Sequence, residues 1–429
     1  MLRTSLMAAT AAAVVSLPAQ AQDIPIGHLA DLTGATASIG VAYAAGIADT
    51  MNWLNSSGRL GDATLDFETV DYSYQAPRAI SNYRRWTSEG VVAIQGWGTA
   101  DTEALIDFVA RDHIPYYSAS YSGALTDPLG EAPNSTKAAP YNFFYGPSYS
   151  DACRALAEWA WNDWEANGED RQPRWVHMGD NHPYPNAPLQ ACSEYAEELG
   201  FEVLDPIVYS LAPGDFTPQC LTLNEVEADY AYLANIAGSN VAMLNSCGNA
   251  NVETQFVANV WGYDEAVMAA SGANADGVVL AVRTDAIWTD DNPGMDTVRE
   301  IAAASPEGAE EYRQLSYLAG VCSAMYMAEA IEWALENGGA TGENIRAGMY
   351  AMSAANNGAW VPEGFEGVCR PSGWTDTDHR GMMSVPIYRG SVTGPTEGRD
   401  ISEMFSDGTL ALEHIDTIEL ERRPEWLGY

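Results

Sequence analysis

Residues 24–36 read IPIGHLADLTGAT. The first half is a short apolar run typical of a buried strand, and the second half is a small, hydroxylated loop that opens a helix predicted over 40–54. A strand that brings backbone N–H groups and hydroxyls to a helix N-terminus is suited to bind an anionic group such as a carboxylate. We therefore expect a small molecule to be held between strand ends and helix starts.

The same strand-to-helix alternation continues along the chain. Further strands are predicted over 91–96, 114–118, 174–179, 202–208, 230–233, 240–245 and 382–388, and further helices over 102–111, 152–164, 187–199, 218–226 and 312–336. Such alternation implies right-handed βαβ units and parallel sheets covered by helices. A chain of 429 residues exceeds what one compact core usually holds, so we expect two domains.

The N-terminus predicts export. Residues 1–21 carry one cation, Arg3, then an apolar run that ends in Ala19-Gln20-Ala21, the small-x-small pattern of a signal-peptidase site. The run is too short to cross a bilayer comfortably. We therefore expect a removable signal peptide, a periplasmic product and no direct insertion into the membrane.

Charge and cysteine content narrow the possible partners. The chain has 59 acidic and 20 basic residues, a net charge of −39, which disfavours nucleic acid and anionic lipid because both would be repelled. An acidic, solvated surface suits salty surroundings, where the repulsion is screened. The six cysteines, an even number in an oxidising compartment, predict disulfides with 15 possible complete pairings. They are Cys153, Cys192, Cys220, Cys247, Cys322 and Cys369.

The motifs of common enzyme classes are missing from the sequence. No Gly-x-Ser-x-Gly elbow, P-loop or dinucleotide fingerprint follows a predicted strand, and the six histidines are scattered singly. His177 and His182 lie five residues apart, a spacing that does not place both on one helical face. We therefore predict neither an enzyme nor a cofactor or metal site.

Several motifs, in order, resemble a known family. They are ADLTG (30–34), MNWLN (51–55), QGWGTADTEA (95–104), IPYYSAS (114–120), DNHPY (180–184), PGDFT (213–217) and DHRG (378–381). Together they resemble the type I periplasmic substrate-binding proteins of ABC importers, the branched-chain amino acid (Leu/Ile/Val-binding) family. The resemblance implies an α/β fold of two lobes, each a parallel sheet flanked by helices, joined by three crossovers and closing by hinge motion. We place lobe 1 at 24–143 plus 281–358 and lobe 2 at 144–280 plus 359–429.

The resemblance also implies ligand contacts on two loops of lobe 1. The residues that fall there are Trp97, Thr99, Ala100, Ser120, Tyr121 and Ser122. By position, Thr99 would bind a ligand carboxylate, and Ser120 and Ser122 would bind both ends of an amino acid head group through charge-assisted hydrogen bonds. The alternative is that the hydroxyls cap helices or stabilise turns, and that Trp97 and Tyr121 are packed rims of the sheet.

In lobe 2, Tyr184 falls on a tyrosine that closes over the ligand. Asp264 or Glu265 is nearest to the position of the acid that pairs with the ligand ammonium, if a short insertion is allowed; the alternative is exposed acidic surface. If neither carboxylate faces the cleft, the ligand is expected to lack an amino group, as an aromatic or aliphatic acid does.

The function expected from this resemblance is solute capture. A monomeric receptor would bind a small carboxylate-bearing solute, an amino acid first, and deliver it to an inner-membrane ABC permease. The alternatives are the same fold binding an acid without an amino group and a ligand sensor that reports to a receptor or regulator. An extracytoplasmic hydrolase is the weakest alternative.

Overall fold

The computed structural model describes residues 22–167 and 170–429, so the predicted signal peptide lies outside the described residues. The strands are β1 (Asp23–Ala30), β2 (Thr64–Asp71), β3 (Ala93–Gln95), β4 (Tyr116–Ser118), β5 (Asn142–Phe144), β6 (Arg174–Gly179), β7 (Glu202–Val203), β8 (Ile207–Val208), β9 (Tyr230–Leu233), β10 (Gln255–Ala258), β11 (Val279–Ala281), β12 (Ser384–Val392) and β13 (Leu410–Glu419). The α-helices are α1 (Ala37–Ser57), α2 (Ala76–Glu89), α3 (Thr99–Asp112), α4 (Tyr149–Asn167), α5 (Pro183–Asn186), α6 (Leu189–Leu199), α7 (Thr217–Val226), α8 (Ala237–Asn249), α9 (Glu265–Ser271), α10 (Pro293–Ala303), α11 (Leu315–Glu336), α12 (Gly342–Ala355) and α13 (Ile401–Ser406).

The first sheet has the order β2-β1-β3-β4-β5, and all its described pairings are parallel. The opening strand β1 pairs with β2 over its whole length and with β3, and its last five residues are buried. That burial is the reason its sequence is a nearly continuous apolar run. The parallel sheet flanked by helices agrees with the predicted fold class.

The second sheet has the order β13-β12-β11-β10-β9-β6-β7, with β8 also paired to β6. It is parallel from β7 to β11, whereas β11–β12 and β12–β13 are antiparallel. The antiparallel β12–β13 hairpin at one edge adds to the parallel sheet that the sequence predicts.

Within the described residues the chain passes between the two halves three times. It leaves the first sheet after β5, returns after β11 to helices that pack on α1, and goes back to the second sheet after α12. The α1–α11 crossing is close because Gly46 and Gly320 meet the facing backbone: a Cβ on Gly46 would lie 2.2 Å from the Tyr317 carbonyl oxygen, and one on Gly320 would lie 2.3 Å from that of Tyr43.

Two predicted strands differ in the structure. Residues 240–245 lie inside helix α8, so the strand predicted there is wrong; the buried positions 240, 243, 244 and 247 follow the helical i, i+3, i+4, i+7 pattern. The strand predicted over 202–208 is split into β7 and β8. Pro206 lies in the break, where its missing N–H cannot contribute to a ladder.

All six cysteines are paired. The disulfides are Cys153–Cys192, Cys220–Cys247 and Cys322–Cys369. The first joins α4 to α6, the second joins α7 to α8, and the third ties α11 to the segment before β12. These bonds select one of the 15 pairings that the sequence leaves open.

Candidate ligand-binding cleft

The loops that follow the strands of the two sheets enclose a cavity. The residues that line it are Thr36, Tyr74, Trp97, Gly98, Thr99, Ala119, Tyr149, Tyr184, Ile236 and Trp261. They come from both halves of the molecule, at the carboxyl ends of parallel strands, where α/β proteins place their ligands. The cavity has a volume of about 220 Å³. Its lining residues are buried, apart from the half-buried Tyr74, so the cleft is closed over its own side chains.

Trp261 forms a hydrogen bond across the cleft. It follows β10 of the second sheet, and its Nε1 donates to the carbonyl of Ala119 (3.2 Å) and to the hydroxyl of Tyr149 (3.1 Å). The Tyr149 hydroxyl in turn donates to the Ala119 carbonyl at 3.1 Å. Ala119 follows β4 of the first sheet, so any opening of the cleft must break these hydrogen bonds.

The predicted residues on the loop after β3 lie at or beside the cavity. Trp97 lines it and donates from Nε1 to Thr36 Oγ1 at 2.7 Å. Thr99 lines it as the first residue of α3, and its Oγ1 is 2.8 Å from Ser120 Oγ. Ser120 is buried behind Thr99, and Ala100 is half-buried in the first turn of α3; neither lines the cavity.

The N-terminus of α3 is already occupied by the protein itself. The Asp101 carboxylate accepts hydrogen bonds from the backbone N–H of Trp97 (3.0 Å) and Gly98 (2.7 Å). It also accepts from the hydroxyls of Tyr72 (2.5 Å) and Tyr116. Burial raises the pKa of Asp101, and these donors act against that shift. The sequence analysis assigned Asp101 no role, although an acid at the third position of a helix is the signal of a capping box.

The Tyr74 ring lies over the backbone of that turn. A Cβ on Gly98 would lie 2.4 Å from Tyr74 Cε2, so the phenol rests directly on the backbone at the start of α3. Burial raises the pKa of Tyr74 well above its usual value, and hydrogen bonding to the N–H groups of Thr99 and Ala100 acts in the opposite direction. The Tyr74 ring also meets His182 of the second-sheet side, with centroids 5.5 Å apart.

The other two predicted residues of the first lobe lie outside the lining. Ser122 precedes a short 3₁₀ turn, where its carbonyl accepts from Leu125 N at 3.0 Å and its side chain makes no capping hydrogen bond. Tyr121 is fully buried, with its ring 5.3 Å from Trp261 and 5.7 Å from Tyr149. Its hydroxyl has no hydrogen-bond partner among the described residues.

Tyr184 lines the cavity from the second-sheet side. It lies on α5, directly after β6, and its hydroxyl donates to Asn259 Oδ1 at 2.9 Å. Its ring packs edge-on against Tyr149 with centroids 5.4 Å apart. The position is that of a side chain which reaches across the cleft.

Asp264 and Glu265 are both buried, but neither lines the cavity. Asp264 caps α9 by accepting from Val267 N at 3.0 Å. Glu265 accepts from the Tyr312 hydroxyl (3.1 Å) and from Leu315 N (3.2 Å). Burial, with a smaller contribution from Asp264, raises the pKa of Glu265 to about 7. Among the described residues that line the cavity there is no carboxylate to pair with a ligand ammonium.

Sequence reasoning missed Arg283, which follows β11 and is only 3% exposed. Its guanidinium lies 3.7 Å from the centre of the Trp261 ring, and Nη1 donates to the Val260 carbonyl. An arginine two residues after a buried apolar strand was the available signal.

Two searches of the described residues complete the description of the site. In 22–167 and 170–429, no set of three or more His, Cys, Asp or Glu side chains is arranged to hold a metal ion. No helix within those ranges has both the length and the apolar character needed to cross a bilayer.

The chain was compared with known proteins. Residues 23–395 match the family model described as "Periplasmic binding protein", a family of solute-binding proteins. No curated protein sequence matches the chain. Solved structures of ABC transporter proteins are among those that it resembles, and three of them illustrate the likeness.

An ABC transporter substrate-binding protein from Aeropyrum pernix shares 23% identity, with a TM-score of 0.77 over 95% of this chain and 98% of that one. A branched-chain amino acid ABC transporter protein from Thermus thermophilus with bound valine shares 21%, with a TM-score of 0.74 over 86% and 93%. A solute-binding protein of an R. palustris ABC transporter in complex with benzoate shares 16%, with a TM-score of 0.68 over 86% and 93%. At these identities the likeness is one of fold.

Proposed function

This chain belongs to the periplasmic binding protein family, and we propose that it captures a small organic acid with an apolar body and delivers it to an inner-membrane ABC permease. The observation that carries the proposal is the cavity between the two sheets, which is walled by Trp97, Tyr149, Tyr184 and Trp261 from both sides. Large aromatic faces with few polar groups are suited to an apolar ligand body. The protein acts as an exported monomer in the periplasm.

The chemistry of the lining favours an acid without an amino group over an amino acid. An ammonium group buried in the cleft would need a carboxylate or several carbonyl acceptors. Asp264 caps α9 through one oxygen, Glu265 holds the start of α11, and neither acid lines the cavity. Among the similar structures, one was solved with benzoate and another with valine, so both ligand classes occur on this fold.

The proposed mechanism is closure by population shift. With the cleft closed, all its lining residues except the half-buried Tyr74 are buried, so a ligand must enter while the lobes are apart. Ligand contacts with both sides then favour the closed state by as much as the ligand prefers it. Tyr184 covers the ligand from the second-sheet side on closure. No covalent step is involved.

A thermal-shift panel tests this function. Purified protein, unfolded and refolded to remove bound solute, is screened against branched-chain and aromatic amino acids, benzoate, pentanoate and the neutral amides of both acids. We expect at least one acid to raise the melting temperature in a concentration-dependent manner, and Tyr184→Ala to reduce that rise. The matched control, Leu221→Ala, changes a residue that is 57% exposed and distant in sequence from the lining. A panel without any responder contradicts the proposal.

A further inference from the structure

Arg283 is a buried cation without a carboxylate partner. Four arginines are buried among the described residues: Arg154, Arg283, Arg313 and Arg380. Three of them form ion pairs, with Asp151 (2.8 Å), Glu311 (3.7 Å) and Asp378 (2.8 Å), whereas Arg283 forms none within 4.0 Å. A buried charge is costly unless it is paired. In a chain with a net charge of −39, carboxylates are abundant, so the missing partner needs a reason.

Asp264, an acid whose pKa Arg283 affects, does not supply that partner. Asp264 is influenced by Arg283, whose charge lowers the pKa of Asp264, but burial raises it more strongly. Its Oδ1 caps α9, and its Oδ2 has no hydrogen-bond partner. On the arginine, Nη1 donates to the Val260 carbonyl while Nε has no partner. The guanidinium is therefore held in place but only partly satisfied.

Two further unsatisfied donors, the hydroxyls of Tyr43 and Tyr121, form with Arg283 a group that we call the Arg283 cluster. The hydroxyls of Tyr43, on α1, and Tyr121, after β4, are buried and have no hydrogen-bond partner among the described residues. Their rings pack against Trp261, with centroids 5.5 Å and 5.3 Å away, while Arg283 covers a face of that indole. Burial raises the pKa of Tyr43 to about 12, so this hydroxyl keeps its proton and can donate. One guanidinium and two phenols are a donor set matched to a carboxylate.

The cluster lies where the two halves meet. Trp261, which lines the cavity, connects the cluster to it. Tyr43 and Tyr121 belong to elements of the first half, while Arg283 and Trp261 follow β11 and β10 of the second sheet. The Trp261 ring lines the cavity and also contacts the guanidinium. A ligand that parts the two halves and displaces Trp261 would have its apolar body among the aromatic rings and its head group within reach of Arg283.

We propose that Arg283, Tyr43 and Tyr121 form the carboxylate subsite of the cleft, and that the ligand is a monocarboxylate whose charged end binds there and not at the N-terminus of α3. This inference rests on the proposed function and deepens it. Asp101 accepts from the amides of Trp97 and Gly98 just before α3, and the Tyr74 ring lies on the backbone at Gly98, whereas Arg283 Nε and the hydroxyls of Tyr43 and Tyr121 have no hydrogen-bond partner among the described residues.

Binding of matched acids and amides tests the subsite. Isothermal titration compares benzoate with benzamide and pentanoate with pentanamide on the whole protein. We expect the wild type to bind an acid at least about tenfold more tightly than its amide, and Arg283→Met to lose that difference, since each tenfold step corresponds to about 1.4 kcal/mol. Tyr43→Phe and Tyr121→Phe, which keep the rings, should each weaken the acid by roughly threefold to tenfold and leave the amide unchanged. Arg85→Met, on an exposed arginine, is the matched control.

Stability without ligand provides a second, independent readout. Because Arg283 has no ion pair, Arg283→Met should melt at or above the wild-type temperature. Arg154→Met leaves the buried Asp151 without its ion-pair partner, so this variant should melt roughly 5–10 °C below the wild type. A comparable fall for Arg283→Met would assign that arginine to the scaffold and overturn the inference. Acids and amides that bind equally well would also overturn it while leaving the proposed function intact. If no acid or amide binds, both proposals fail.

Discussion

The start of α3 and the Arg283 cluster are two electropositive places in one cleft, and they differ in what already occupies them. At α3, the Asp101 carboxylate accepts from the amides of Trp97 and Gly98, and the Tyr74 ring lies on the backbone at Gly98. At Arg283, the guanidinium has one carbonyl and one aromatic face. A helix N-terminus after a strand is common in α/β folds, so its presence alone says little about ligand binding. What distinguishes a subsite is that its donors remain unsatisfied when the protein is closed.

The same comparison separates scaffold from function among the buried acids. The Asp101 carboxylate accepts four hydrogen bonds and that of Glu265 accepts two, whereas Oδ2 of Asp264 accepts none. A fully bonded buried charge fixes the local structure, and its removal leaves several donors without partners. The size of the mutational effect should therefore follow the number of donors.

The largest effect is expected at Asp101. Asp101→Ala leaves two buried tyrosine hydroxyls and two backbone N–H groups without an acceptor, and should lower the free energy of unfolding by about 4 kcal/mol. Urea unfolding followed by circular dichroism measures it. The control is Asp107→Ala on the same helix, whose side chain is 80% exposed; it should change the free energy by less than about 0.5 kcal/mol. Equal effects would mean that the network around Asp101 does not stabilise the loop.

Glu265 should make stability depend on pH. Its pKa is raised from 4.5 to about 7 in the folded protein, so between these values the unfolded chain releases a proton that the folded protein keeps. The carboxyl's contribution to stability is therefore full below pH 4.5 and is lost as the pH rises towards about 7, by up to about 3 kcal/mol. Asp264 and Tyr312 are the titratable groups that face it.

The measurement is the free energy of unfolding from urea titrations at several pH values between 4.5 and 7.5, for the wild type and Glu265→Gln. The wild-type value should fall relative to the variant as the pH rises. Glu310→Gln, a change of another carboxylate before α11, should keep the wild-type pH dependence. Parallel curves for the wild type and Glu265→Gln would show that Glu265 titrates normally.

The sequence predicted the parts of the fold that depend on local pattern. The bounds of β6 and β9 agree with the predicted strands. Thr99 and Tyr184 line the cavity, and their contact with a ligand stays a prediction. The strand predicted over 240–245 was wrong because six residues are too few to separate a helical from a strand period in an apolar segment.

The rest of the site depends on long-range contacts that no local pattern encodes. Tyr74 reaches α3 because Ser73 and Tyr74 both adopt left-handed backbone conformations, with φ of 51° and 55°, although neither is glycine or asparagine. Arg283 becomes notable only when the absence of an ion pair is known. That absence among the described residues is a property of packing between segments far apart in sequence.

Substitution of Tyr184 should weaken ligand binding moderately. Tyr184→Ala removes an aromatic wall of the cavity and the hydrogen bond to Asn259, and should weaken the acid found in the panel by about tenfold, or 1.4 kcal/mol. Tyr184→Phe keeps the ring and loses only the hydroxyl, so it should bind nearly as well as the wild type. Isothermal titration of all three proteins measures this. A loss for Tyr184→Phe as large as that for Tyr184→Ala would point to direct contact between the hydroxyl and the ligand.

The smallest effect is expected at Tyr74, and it tests the comparison most directly. If the carboxylate binds at Arg283, Tyr74→Phe should change acid affinity by less than about threefold, because the phenol lies on the backbone at the start of α3 and would not contact the head group. If the start of α3 were the subsite, the hydroxyl would compete with the ligand, and its removal should tighten acid binding while leaving the amide unaffected. Titrating benzoate and benzamide against the wild type and Tyr74→Phe separates the two cases. A selective gain for the acid would move the head group from Arg283 back to α3.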